Sequence, residues 1–122
     1  MDIYKDQIDL ITVYIEEAHA SDEWPIGSRI SYVQPKCDVD RIRIAKDFVE
    51  TTKYRIRLLI DPVSRDNPFS KMYNPWPIRF YVVDKMRRFR YIAEPIRGSY
   101  SLELIKGALD EVIQQQEEQQ DE

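Results

Sequence analysis

Leu10-Ile11-Thr12-Val13-Tyr14-Ile15-Glu16-Glu17-Ala18-His19-Ala20-Ser21-Asp22-Glu23-Trp24 is the stretch on which the fold turns. Its first half is a continuous β-branched and aromatic run, the composition of a strand buried on both faces, as in a parallel sheet. The chemistry then changes abruptly. Two carboxylates, the only histidine, a serine, a second acid pair and a tryptophan follow. Titratable groups therefore gather at the C-terminal end of a buried strand, which in open α/β sheets is the end where ligands bind.

Working outward, Glu16 to about Lys36 contains Pro25, Gly27 and Pro35 and reads as a long connection, usually functional or mobile in a compact domain. Asp38 or Asp40 is expected to cap a helix running to about Thr52, because either carboxylate can accept from free first-turn amides. Val39, Ile42, Ala45 (or Ile44), Phe48 and Val49 recur at helical spacing and predict its buried face. Tyr54 to Ile60 reads as a second strand. There Ile56, Leu58 and Ile60 alternate with Arg55 and Arg57, as on an edge strand with one solvated face.

Asn74-Pro75-Trp76-Pro77 leads into a strand at Ile78 to Val83, a place open to proline because its missing amide falls outside the ladder. Asp84-Lys85-Met86 reads as a turn and Arg88 to Ile92 as the antiparallel return. Ser101, with Glu103 in the first turn, predicts a helix start, and Leu102, Ile105, Leu109, Val112 and Ile113 predict its buried stripe. At the other end of the chain, Ile3, Tyr4 and Ile8 fit the last turns of a short amphipathic helix.

At 122 residues the chain suits one small domain. Residues 1–113 are assigned to that domain. Residues 114–122 contain only Gln, Glu and Asp and form a polar acidic tail, as frayed helix or disordered chain. The formal charge of −4 equals that of the tail acids Glu117, Glu118, Asp121 and Glu122, so the body is neutral and no polyanion partner is implied. The cluster Arg87-Arg88-Phe89-Arg90-Tyr91 could stack and neutralise nucleic acid. Alternation instead predicts a half-buried strand with a charged outer face, and no nucleic-acid partner is expected. No apolar run approaches a membrane span, so the chain is expected to be soluble and cytoplasmic, with an upstream membrane anchor left open. A single cysteine, Cys37, forbids an internal disulfide and fits a reducing compartment. One His and one Cys give no metal-ligand spacing, and no glycine-rich phosphate loop is present.

Tyr14-Ile15-Glu16-Glu17-Ala18-His19-Ala20-Ser21-Asp22, followed by Trp24, resembles the signature of the iodothyronine deiodinases, selenoenzymes with a thioredoxin-like fold. Trp76-Pro77 resembles the cis-proline placement of such folds. The resemblance implies an α/β fold with a thioredoxin-like sheet of the peroxiredoxin and deiodinase type, flanked by helices. It also implies that the first βα unit, which carries the selenocysteine or cysteine, is absent from this chain. That strand would lie between Leu10–Ile15 and Ile78–Val83, leaving each with an open hydrophobic edge.

Two readings of this absence follow. A reading frame truncated at a UGA codon and restarted at Met1 is one; a half-domain that completes its sheet with another chain, a homodimer among the options, is the other. By resemblance, Glu17 and His19 would serve a proton relay with Tyr14 in support. Arg97 and Trp24 would contact an iodinated phenolic, thyroid-hormone-like substrate, and a thiol reductant would donate electrons with no bound cofactor. His19 suits the relay because imidazole titrates near neutrality. The family's second histidine in the long loop is replaced here by Pro35. Two alternatives stay open: a non-catalytic interaction protein with the thioredoxin fold, and a peroxidase-like reductase using Cys37 as a possible redox thiol at a helix start.

Overall fold

The computed structural model describes residues 4, 6–17, 33–93 and 100–121. Among the described residues it is a mixed α/β structure with two small sheets, and the chain divides into two compact units, residues 1–77 and 78–122.

In the first unit, β1 (Ile11–Tyr14) pairs in parallel with β2 (Arg57–Ile60), in a register that sets Ile11 opposite Arg57 and Tyr14 opposite Ile60. The crossover between them carries α1 (Asp38–Thr52), as parallel strands require. A 3-10 turn (Val63–Arg65) and α2 (Pro68–Tyr73) follow β2. Upstream, the carbonyl of the buried Tyr4 accepts from the amides of Gln7 and Ile8, closing a turn.

Three local expectations are corrected here. β1 is not buried on both faces: Ile11 is 44% exposed and Thr12, Val13 and Tyr14 are half-buried, since among the described residues β1 has a ladder on one side only. Neither Asp38 nor Asp40 caps α1. Cys37 takes that position in extended conformation with no side-chain cap, and the Asp38 carboxylate accepts instead from the Ser64 amide (3.0 Å) and hydroxyl (2.5 Å). The Ser64 bonds hold the Asp38 carboxyl below its usual range. The buried face of α1 is Arg41, Ile44 and Ala45, whereas Val39 is 72% exposed and Ile42 is exposed. An apolar stripe cannot anticipate a buried arginine. Arg41 is tolerated because its Nη1 donates to the Asp61 carbonyl (2.6 Å) and to Asn67 Oδ1. Alternation on β2 does hold, with Leu58 and Ile60 more covered than Arg57 and Leu59.

In the second unit, β3 (Phe80–Val83) pairs antiparallel with β4 (Phe89–Ala93), with an irregularity between Val82 and Val83. Both pack against α3 (Leu102–Gln120), and Val82, Ala93 and Val112 form the buried centre. Ser101 caps α3 as its sequence predicts, its hydroxyl accepting from the Leu104 amide. Leu102, however, is 73% exposed, whereas Ile105 and Leu109 are half-buried and Val112 is buried. The helix continues through the polar residues as far as Gln120. The Trp76-Pro77 peptide bond is cis. Among the described residues, no helix is long and apolar enough to cross a membrane.

Candidate functional site

Parallel pairing brings the C-terminal ends of β1 and β2 to the same side of their sheet. The ladder runs one step beyond β2, where the Asp61 amide donates to the Tyr14 carbonyl at 2.8 Å. That bond fixes the main chain from which the Tyr14 side chain leaves. The phenol of Tyr14 donates to Glu17 Oε1.

Glu17 is held a second time. Its amide donates to Gln34 Oε1 at 3.1 Å, and its carbonyl accepts from Gln34 Nε2 at 2.7 Å. The buried Pro35 follows Gln34 directly. Behind this group lies a polar anchor. The Asp61 carboxylate, fully buried, accepts from the Phe69 (2.9 Å) and Ser70 (2.8 Å) amides in the first turn of α2, where the helix dipole favours negative charge. Arg41, 1% exposed, ties α1 to the same loop through the Asp61 carbonyl. The end of β1 is thus braced by two helices.

Tyr14 and Glu17 are therefore brought together, while His19, Trp24 and Arg97 lie outside the described residues. Cys37 is exposed at the start of α1, where the Asp38 and Asp40 charges offset the positive helix end. Among the described residues, no group of three His, Cys, Asp or Glu side chains could hold a metal ion. Gln34, Asp61 and Arg41 escape sequence reasoning. Gln34 acts on the main chain of Glu17, and a main-chain partner leaves no pattern in the side-chain sequence. Asp61 had a faint signal in Asp61-Pro62, which marks only the end of a strand.

Fold and site define an α/β protein in which polar groups gather beyond the C-terminal ends of paired parallel strands. The sequence model of the iodothyronine deiodinase family matches residues 1–113, and the chain belongs to that family.

Proposed function

We propose that this chain is the proton-handling part of a deiodinase-like oxidoreductase of thioredoxin-like architecture, acting on an iodinated phenolic substrate. The observation that carries the reading is the Tyr14–Glu17 hydrogen bond at the end of β1, within the residues that match the family. Overall, ring-bound iodine leaves as iodide and the ring carbon takes up one proton. Two thiols supply the electron pair, become a disulfide and release the second proton to solvent. A selenolate or thiolate attacking the iodine leaves negative charge on the ring carbon, which a positioned acid can quench. Tyr14 and Glu17 form the first links of that relay and His19 extends it; Trp24 and Arg97 contact the substrate. Residues 1–113 make up the domain and 114–122 its polar tail, and a thiol reductant serves as donor in a cytoplasmic setting. The 122 residues hold no selenocysteine, and their one thiol, Cys37, begins α1. The polypeptide by itself is expected not to deiodinate.

The test begins at the genomic DNA upstream of the Met1 codon. An in-frame UGA or Cys codon there, within a strand-then-helix coding pattern, would supply the nucleophile. The extended product should release iodide from an iodinated phenol with dithiothreitol as donor, and Glu17→Gln or Tyr14→Phe should lower its kcat by about 100-fold or more. Iodide release by the 122-residue chain alone overturns the assignment of the nucleophile. Undiminished kcat in both variants overturns the relay.

A second reading, a non-catalytic interaction protein, draws on the exposed apolar residues Leu10 and Ile11 at β1 and Ile78 and Phe80 at β3. An untranslated leader upstream of Met1 would favour it.

A further inference from the structure

Glu17 and Gln34 stand seventeen residues apart and meet through two hydrogen bonds between one side-chain amide and the main chain of one residue. A primary amide both donates and accepts at a single terminus, which a carboxylate or an ammonium cannot do. Gln34 uses both capacities on Glu17. The pairing reproduces the exchange of N–H and C=O bonds between facing residues of antiparallel strands. It fixes the Glu17 backbone through both its amide and its carbonyl. Tyr14 is itself fixed by the β1 ladder and by the Asp61 amide. The Glu17 carboxylate consequently meets the Tyr14 phenol with both main chains restrained, and neither residue pays the full entropy of finding the other.

We propose that Gln34 is a positioning residue, which holds Glu17 so that its carboxylate accepts the Tyr14 proton. The proposal rests on the reading of Tyr14 and Glu17 as a proton-handling pair. Its test needs no turnover, so its failure is distinct from failure of that reading.

The measurement is NMR on the full 122-residue chain, following hydrogen exchange of the Glu17 amide and the Tyr14 Cζ resonance, which reports the hydrogen bond of the phenol. Glu17→Ala supplies the resonance position of a Tyr14 without its acceptor. In Gln34→Ala the Glu17 amide should exchange about tenfold faster, the change expected from losing one hydrogen bond of ordinary net strength. The Tyr14 resonance should move towards its Glu17→Ala position while exchange in α1 and α3 is unchanged. Gln34→Glu keeps the size of the side chain and its acceptor but loses the donor. It should retain most of the Glu17 amide protection and still shift Tyr14, and it serves if the alanine variant does not fold. Unchanged Glu17 exchange in Gln34→Ala overturns the clamp. A Tyr14 resonance that stays at its wild-type position in both variants overturns the positioning role.

Discussion

Asp84 closes the β3–β4 hairpin almost alone. One carboxylate oxygen accepts from the Met86 amide (2.9 Å) and the Arg88 amide (3.0 Å), and the other meets Arg88 Nε at 3.1 Å and Arg90 Nη1 at 3.9 Å. The Arg88 amide bond is the main reason that its carboxyl is held below the usual value of 3.8, with the Arg88 guanidinium adding to it. A carboxyl whose folded value is depressed stabilises the fold above its unfolded value, and the contribution is lost as pH falls through the lower folded value. Asp84→Asn should therefore lie below wild type in thermal midpoint near neutrality, and the gap should narrow as pH drops under 3.8. Protonated Asp84 and Asn are alike in charge. A gap that stays constant to the most acid pH at which the chain remains folded would contradict this account. The turn itself was legible at Asp84-Lys85-Met86, since a short acid that binds amides ahead of it is ordinary turn chemistry. That Arg87 adopts a φ of 62° was not, because no glycine or asparagine marks the position.

At the scale of the element, α1 separates what periodicity can and cannot say. Its span from Asp38 to Thr52 follows from the apolar recurrence, but its buried face does so only at Ile44 and Ala45. Val39 and Ile42 compete with Ile44 and Ala45 for the core, and only contact with β2 and the 3-10 turn decides between them. Ile44→Ala should cost about 3 kcal/mol, the usual penalty for emptying a buried aliphatic site. Val39→Ala should stay within about 0.5 kcal/mol, as surface changes do. Urea midpoints with an unchanged slope would check both, and equal losses at the two positions would restore the stripe predicted from sequence. In α3 the cap at Ser101 and the inner positions from Ile105 to Ile113 were readable in advance. The exposure of Leu102 was not, because periodicity does not say which turns of a helix meet its neighbours.

For the whole molecule, each unit has a two-stranded sheet that leaves apolar residues uncovered. Leu10 and Ile11 are exposed at β1, Ile78 and Phe80 at and beside β3, and Phe89 and Ile92 on β4. Strands with such edges attract further strands. In sedimentation at rising concentration, the 122-residue chain should show an increasing mean mass, and Ile11→Lys should reduce it. A monomer that persists to high concentration would count against both the homodimer and the interaction-protein reading.

The sequence by itself determined the family, through the run from Tyr14 to Asp22 and Trp24, and the order and type of the elements, through apolar period, cap and turn residues. These are local properties, and local chemistry is what a linear pattern encodes. Through that same resemblance it also grouped Tyr14 with Glu17. Only the tertiary structure decided that Gln34 pairs with the Glu17 main chain, that Arg41 is buried on Asp61, and that Asp38 binds Ser64 in place of a helix cap. Each of those partners lies between seventeen and 26 positions away and is chosen by the parallel crossover, which brings chain segments together without leaving a mark in either sequence.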